Sequence, residues 1–363
     1  MKKRFSILAV LLSGLIYFDA KAQSAADSAH QKGVEAVKLE DAGKFDDAMK
    51  LLTEAAKLDP NNIDYPYEMT YCYYSQKQYQ KAIDVLEKLK DNPDSFDRLY
   101  ELLGNSYDML GKSDKAIAVY QDGLKKFPNS GVLYLEMGVI PLFKKDYNSA
   151  LNYFEKGIEV QPDFPSNYYW AAKLYCGSDD KVWGMLYGEI FINLERNSGR
   201  TAEISKLLYD TYKSSITYPG PGKILVAFNK NTVISLVGKD KMTMPYSMIY
   251  EPCMSIAVIA DTVINLNSLD RIRLNFLNFY NQKFNKDYPN ALFSYQDEIV
   301  KSGNFEAYNH WLLSEGDKNM FNTWRIATGD KWDKFLKWFT DNPIKLDENN
   351  KLNQSQYKSI TLK

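Results

Sequence analysis

Few residues of this chain could carry catalytic chemistry. His30 and His310 are its two histidines, one near the start and one in a segment with helical periodicity. A Ser-His-Asp or Cys-His arrangement would have to use one of them, and neither lies in a motif that positions a nucleophile. Both are interpreted as solvated or hydrogen-bonded structural histidines. We therefore predict that the protein is not an enzyme.

Metal ligands are equally sparse. The sequence contains no CxxC, no HExxH and no clustered acidic loop, so it indicates no zinc or calcium site and no cofactor. The segment "KMTMPYSMIYEPCM" groups soft sulfur ligands of the kind that favour Cu(I). Packing of these side chains around a bend is the favoured interpretation, and a Cu(I)-handling protein remains an alternative. The sulfur-bearing residues are Met242, Met244, Met248, Cys253 and Met254.

The stretch "PGPGK" is superficially similar to a phosphate-binding loop. Ile224 stands where Ser or Thr would hold magnesium, and the two prolines lack the amide donors that a phosphate needs. No nucleotide site is predicted.

The first residues, "MKKRFSILAVLLSGLIYFDAKAQS", indicate a secretory signal peptide over residues 1–22. A basic start precedes an apolar stretch, and Ala20-Lys21-Ala22 supplies the small residues of a cleavage site. Cleavage is expected after Ala22, and an uncleaved membrane anchor is the alternative. No Cys follows the apolar stretch, which argues against a lipid anchor. The predicted location is periplasmic or secreted.

Composition narrows the class of protein further. The 363 residues are 45% hydrophobic and 25% charged, enough for two structural units with substantial cores. Removal of residues 1–22, with four basic residues and one acidic residue, takes the formal charge from −1 to −4. A mildly acidic mature chain has no general attraction for nucleic acid or anionic lipid. The three cysteines are too few to form a disulfide framework, and no later segment is apolar enough to span a membrane.

A repeating unit dominates the first half of the chain. The stretch "YELLGNSYDMLGKSDKAIAVYQDGLKKFP", residues 100–128, reads as two amphipathic helices with Gly111 between them and Pro128 at the end. With Asp97 as position 1 of a 34-residue unit, small residues fall at positions 8 and 20. Small residues there allow two antiparallel helices to approach closely, and aromatic residues beside them fill the remaining space. The matching residues are Tyr100, Leu103, Gly104, Tyr107, Ala116, Tyr120 and Pro128.

Related patterns begin at Ala29, Ile63, Gly131 and Pro165, at intervals of 34 residues. The register of small residues and prolines resembles the tetratricopeptide repeat, with Tyr in place of its usual Trp and Phe. The resemblance extends from residue 29 to about residue 198, and a capping helix is expected to reach residue 215. It implies an all-α fold with about five helix pairs in a superhelix, over residues 23–215.

In the family that this stretch resembles, the first helix of each unit lines a concave groove through positions 2, 5, 9 and 12. The groove commonly receives an extended peptide or a helix of another protein. Tyrosine suits such a surface because it offers a large contact area with few rotors to immobilise. Burial of the groove by the C-terminal part of the same chain is the alternative. The predicted groove residues are Tyr67, Tyr71, Tyr74, Arg98, Glu101, Asn105, Asp108, Leu135, Val139 and Leu142.

One ligand of such grooves is not implied here. Some family members clamp a C-terminal carboxylate through a set of Lys and Asn residues, and only Asn105 occupies a suitable position.

Residues 216–363 differ in composition and are predicted to form a mainly α-helical domain of short helices ended by glycine. "KILVAFNKNTVISLVG" predicts a hairpin turning at residues 229–231. Its many Trp and Phe residues indicate a core, with a ligand-binding surface as the alternative. The combination resembles exported repeat proteins of Gram-negative bacteria. It predicts a periplasmic or secreted scaffold for another protein; the alternative is a C-terminal ligand-binding or enzymatic module tethered to the repeats.

Overall fold

The computed structural model describes residues 24–220, 222–229, 235–236, 242–243 and 246–357. The predicted signal peptide lies outside the described residues. Within them the chain is almost entirely helical, which confirms the all-α fold class. None of the described helices is both long enough and apolar enough to cross a bilayer.

Five antiparallel helix pairs and one further helix occupy the first part of the chain, in agreement with the predicted count. We number the pairs as repeats 1 to 5. Repeat 1 holds α1 (24–41) and α2 (Phe45–Leu58), repeat 2 holds α3 (Asp64–Ser75) and α4 (Tyr79–Leu89), and repeat 3 holds α5 (Asp97–Met109) and α6 (Ser113–Lys126). Repeat 4 holds α7 (Gly131–Phe143) and α8 (Tyr147–Val160), repeat 5 holds α9 (Pro165–Cys176) and α10 (Lys181–Leu194), and α11 (Gly199–Ser215) follows.

The packing divides the chain into two compact units, one up to Pro128 and one from Asn129 onward. The first unit contains repeats 1 to 3, and the second contains repeats 4 and 5, α11 and the C-terminal region. The predicted domain boundary after residue 215 falls inside the second unit. Separate folding of residues 216–363 stays a prediction.

The turn inside each repeat shows the 34-residue spacing in its backbone. Gly43, Lys77, Gly111 and Lys145 all have positive φ, between 61° and 71°, and all stand at position 15 of their repeats. The left-handed conformation reverses the chain between the two helices of a repeat. Two of the four turns place lysine in a conformation that favours glycine.

Where the two helices of a repeat cross, a small side chain at position 8 faces a large side chain at position 24. A Cβ at Gly138 would lie 2.4 Å from the ring of Phe154, so only glycine fits opposite that ring. Repeat 5 departs from this pattern, because Ala172 and Gly188 are both small and a Cβ at Gly188 would lie 2.8 Å from Leu208 of α11. The buried pairs of repeats 1 to 3 are Ala36 with Leu52, Thr70 with Leu86, and Gly104 with Tyr120.

The C-terminal region continues with two small antiparallel pairs of strands and six helices among the described residues. The strands are β1 (Ile216–Gly220) with β2 (Lys223–Val226), and β3 (Ser235–Leu236) with β4 (Met242–Thr243). The helices are α12 (Ser247–Ala257), α13 (Leu266–Lys283), α14 (Ala291–Lys301), α15 (Phe305–Leu312), α16 (Lys318–Ala327) and α17 (Gly329–Asp341). Short 3-10 turns occupy Ser314–Gly316 and Gln354–Tyr357.

A hairpin is present, as predicted, but its described strands lie earlier in the chain. Lys223–Val226 pairs backward with Ile216–Gly220 across the Pro-Gly stretch. The predicted turn at residues 229–231 lies partly outside the described residues. Gly222 has a φ of 71°, which glycine adopts without strain and which turns the chain tightly. Asn229 instead forms an isolated bridge with Asp180, before α10.

The core of the second unit is built largely from aromatic side chains, as the sequence predicts. Trp311 contacts Phe339 at a ring-centroid distance of 4.6 Å, and Phe335 stacks on Phe339 at 5.0 Å. Phe335 and Phe339 are both buried. Because α15 to α17 are short, these rings supply apolar burial that helix length alone does not.

Candidate functional site

The predicted tyrosines of repeat 2 lie along α3 in the first unit. Tyr71 exposes 43% of its surface, whereas Tyr67 and Tyr74 are half-buried. Tyr67 meets Phe96 edge to face at 4.8 Å, and Tyr74 meets Tyr79 in the same way at 5.3 Å. The two outer rings are thus held by neighbours and the central one is open to solvent. Such a row provides rigid apolar area that ends in polar hydroxyl groups.

The predicted polar residues of repeat 3 follow on α5. An Arg98 Nη1 lies 3.4 Å from Glu101 Oε2, and burial raises the pKa of Glu101. Asn105 accepts a hydrogen bond from the Tyr120 hydroxyl at 2.6 Å, and Asp108 accepts one from Ser113 at 2.7 Å. The side-chain oxygens of Asn105 and Asp108 are therefore hydrogen-bonded to residues of α6. Arg98 and Glu101 make one long contact with each other.

A carboxyl pair that the sequence analysis missed lies between α1 and α3. Glu40 is only 7% exposed, and its Oε1 accepts a hydrogen bond from Cys72 Sγ at 3.1 Å. Glu68 is hydrogen-bonded to Glu40, and burial, together with the charge of Glu40, raises the pKa of Glu68 to about 7. Glu68 is therefore about half protonated near neutral pH, beside a second buried acid. Glu40 stands at position 12 of repeat 1, so extending the groove positions to repeat 1 would have found it.

The predicted aliphatic residues of repeat 4 lie in the second unit. Leu135, Val139 and Leu142 are half-buried on α7 and pack against the hydrophobic core of their own unit. These side chains are therefore engaged by packing within their own unit, and coverage of the groove by the C-terminal region stays a prediction. The most exposed apolar side chain nearby is Phe143, at the end of the helix.

A buried polar network in the second unit joins side chains of several helices. Arg273 on α13 donates to Glu189 on α10 at 2.6 Å, and Gln296 donates to the same Glu189 oxygen at 2.6 Å. Tyr308 adds a third donor at 2.8 Å, and Tyr212 accepts from Arg273 at 2.9 Å. The adjoining cavity of about 10 Å³ has room for one water molecule, so the network braces helices and has no space there for a substrate.

The remaining chemistry-bearing residues occupy structural positions. His310 is buried and stacks on Trp324 at 4.3 Å, with its ring nitrogens against the Glu306 carbonyl and the Asn267 side chain. Burial lowers the pKa of His310 and keeps the ring neutral. The interpretation as a structural histidine is confirmed.

The sulfur segment divides between described and undescribed residues. Cys253 and Met254 are buried in the core, and burial raises the pKa of Cys253 to about 12. A thiol held protonated is a weak metal ligand. The side chains of Met242 and Met244 lie outside the described residues, so the Cu(I) alternative stays a prediction. Among the described residues, no group of three or more His, Cys, Asp or Glu is placed to hold a metal ion.

The C-terminal segment from residue 351 to residue 357 returns to the helices of repeats 4 and 5. Lys351 donates to the carbonyl of Glu159 on α8 at 2.9 Å, and the Tyr187 hydroxyl accepts from the backbone of Gln354 at 2.9 Å. Tyr357 stacks near Tyr246 at 4.5 Å. No sequence signal pointed to this return, because it joins residues more than 160 positions apart.

The comparisons with known proteins agree with the helix pairs. Residues 39–105, 100–130 and 132–164 each match the tetratricopeptide repeat. The bovine BBSome complex member BBS4 is 29% identical over 118 residues, which cover 31% of this chain and 22% of that protein. The Hsp70-Hsp90 organising protein of Plasmodium falciparum is 33% identical over 88 residues, which cover 22% of this chain and 16% of that protein. The chain thus spans about a fifth of the length of these relatives.

Solved structures with similar helix pairs have low identity. A thermophilic TPR protein of Thermus thermophilus is 16% identical in sequence and superposes with a TM-score of 0.42. The superposition covers 50% of this chain and 98% of that protein's chain. At this TM-score the likeness supports no conclusion about function. The repeat assignment depends instead on the family matches and the 34-residue register: residues 39–164 of this chain are tetratricopeptide repeats.

Proposed function

We propose that the protein is a scaffold that binds a peptide or helix of another protein on the open face of α1, α3 and α5. We call this surface the A face; it consists of positions 2, 5, 9 and 12 of repeats 1 to 3. The observation that carries the proposal is the exposed Tyr71 between two tyrosines whose rings are already held. A pre-ordered aromatic row loses little side-chain entropy when a partner covers it.

The relatives support this mode of action. One is a member of the BBSome complex and another is an Hsp70-Hsp90 organising protein, so both are named for assemblies of proteins. The partner of this chain is not defined by that likeness.

We also propose that the mature protein acts in the periplasm or outside the cell. The support is the basic start, apolar stretch and Ala20-Lys21-Ala22 site of the first 22 residues. N-terminal sequencing of the protein purified from cell fractions tests it. A mature chain starting at Gln23 in the periplasmic or external fraction is expected, and an intact Met1 in the cytoplasm would contradict it.

Site-specific photo-crosslinking tests the A face directly. The photoreactive residue p-benzoyl-phenylalanine replaces Tyr71 in one variant of the full chain and Tyr147, which is 50% exposed on the second unit, in a matched control. Irradiation in the native compartment is expected to give one dominant adduct from position 71 and none of that mass from position 147. Substitution of Tyr67 and Tyr74 by Ala should then abolish the adduct.

The result that overturns the proposal is equally specific. Equal adducts from both positions, or a position-71 adduct unaffected by loss of Tyr67 and Tyr74, would show that the tyrosine row is not the binding surface. Far-UV circular dichroism of each variant establishes that the helices are intact.

A further inference from the structure

We propose that the segment bound on the A face is basic and contacts it through two or more Lys or Arg side chains. This inference depends on the proposed function, since it names the chemistry of the partner that the tyrosine row would hold.

The A face carries more acidic than basic residues. Its twelve positions carry four carboxyl groups against one arginine and one histidine. The excess is larger than in the whole chain, where 46 acidic residues nearly balance 45 basic ones. The acidic residues are Glu40, Asp64, Glu101 and Asp108, and the basic residues are Arg98 and His30.

One of the accessible carboxyl groups, Glu101, is poorly solvated. Burial raises the pKa of Glu101, and its cationic neighbour Arg98 approaches no closer than 3.4 Å and is itself exposed. A carboxylate that has lost water without gaining a close cation is stabilised when a partner supplies one. The A face therefore has a deficit of positive charge.

The tyrosines extend the preference for cations. Burial raises the pKa of Tyr67, and the charge of Glu101 raises it further, so a tyrosine and a carboxylate are near one another on the A face. The faces of tyrosine rings attract ammonium and guanidinium groups. The same unit already uses this pairing elsewhere, with Lys115 Nζ at 5.4 Å from the Tyr107 ring. A basic side chain on the A face would meet a ring and a carboxylate together.

An acidic partner fits this surface poorly. Like charges would face Asp64, Glu101 and Asp108, and Arg98 is the single arginine or lysine at the twelve positions. Since like-charge contacts disfavour wrong partners, the A face selects against acidic segments as well as for basic ones.

Fluorescence anisotropy on the full chain tests the inference with three labelled peptides of equal length. The Lys peptide alternates Lys with Leu and Ser. The Glu peptide has Glu in place of every Lys, and the Gln peptide has Gln in place of every Lys. We expect the Lys peptide to bind at least about tenfold more tightly than the Glu peptide, with affinity falling as salt is raised. The combined variant Asp64→Asn, Glu101→Gln, Asp108→Asn should lose about tenfold in affinity for the Lys peptide.

The outcomes separate this inference from the proposed function. If the Gln or Glu peptide binds as well as the Lys peptide and the variant with Tyr67, Tyr71 and Tyr74 replaced by Ala loses binding, the A face is a peptide site but not a basic-peptide site. Unchanged affinity in the neutralised variant overturns the inference in the same way. If no peptide binds, or the tyrosine variant binds all three equally, both proposals fail.

Discussion

Gly104 and Tyr120 occupy a single space between the two helices of repeat 3. A Cβ at residue 104 would lie 2.1 Å from Cε1 of the Tyr120 ring, well inside van der Waals contact. The ring passes over the glycine and donates its hydroxyl to Asn105 on the groove side at 2.6 Å. The repeat's internal packing thus also orients a predicted groove residue.

Substitution of Gly104 by Ala should lower the free energy of unfolding by about 2 kcal/mol. The added methyl group overpacks the crossing, and this cost exceeds the gain of about 1 kcal/mol from better helix propensity. Adding Tyr120→Leu should recover part of the loss, because Thr70 already packs with Leu86 at the equivalent crossing of repeat 2. Urea denaturation of the single and double variants measures both effects. A Gly104→Ala variant as stable as the wild type would contradict the close approach.

Substitution of Lys77 or Lys145 by Gly should raise the free energy of unfolding by about 0.5 kcal/mol. The left-handed conformation costs lysine about 1 kcal/mol, and the greater entropy of unfolded glycine offsets part of the gain. Gly111→Ala is the converse control, with an expected loss of about 1 kcal/mol, because a Cβ there meets no atom within 4 Å and only the backbone conformation resists it. Thermal denaturation compares the three, and a destabilised Lys77→Gly variant would refute the strain.

Glu68 should make the first unit less stable as the pH rises. Its pKa in the folded chain is raised from 4.5 to about 7, so its contribution to stability is complete below about pH 4.5 and is lost as the pH rises through about 7. Glu68→Gln mimics the protonated form and should be more stable than the wild type at about pH 8, with the difference vanishing at about pH 4. Glu35→Gln, an exposed change on α1, is the matched control.

Urea denaturation at the two pH values measures this effect as the difference between variant and wild type. The difference isolates Glu68 from other groups that titrate in the same range. A Glu68→Gln variant that follows the wild type at both pH values would show that the pKa of Glu68 is not raised in the folded chain.

Removal of one member of the Glu189–Arg273 pair should destabilise the second unit strongly. Arg273→Met leaves a buried carboxylate without its cation and should cost about 3–5 kcal/mol. The double variant Glu189→Leu, Arg273→Met should cost clearly less than the sum of the two single changes. A double-mutant cycle by urea denaturation measures the coupling, with the exposed pair Lys206–Asp210 as control, where it should stay below about 0.5 kcal/mol. Equal coupling in both pairs would argue against a buried brace.

The repeats were predictable because their signals are local and periodic. Gly111, Ala116 and Pro128 mark a turn, a helix crossing and a helix end within one 34-residue stretch, and each has a steric cause that acts within that stretch. The short helices after residue 289 were predictable for the same reason, since α14 and α16 end two residues before Gly303 and Gly329.

The hairpin and the polar brace were not predictable in this way. The β-rich run from Lys223 to Val226 had possible partner segments on both sides, and local pattern does not choose between them. Arg273 and Glu189 are 84 residues apart, and nothing near either one marks its partner. The carboxyl pair of Glu40 and Glu68 joins two different repeats, and the weak match of repeat 1 hid it.

The sequence by itself determined the helix pairs, their register and the tyrosine row on α3, because close helix packing requires small residues at positions that recur every 34 residues. Only the tertiary structure decided which of the predicted groove residues remain open, since that depends on what folds back over them. Tyr71 stayed exposed, Asn105 is held by Tyr120, and Leu135, Val139 and Leu142 pack on their own unit's core. Contacts of that kind join distant residues through three-dimensional proximity and leave no periodic trace along the chain.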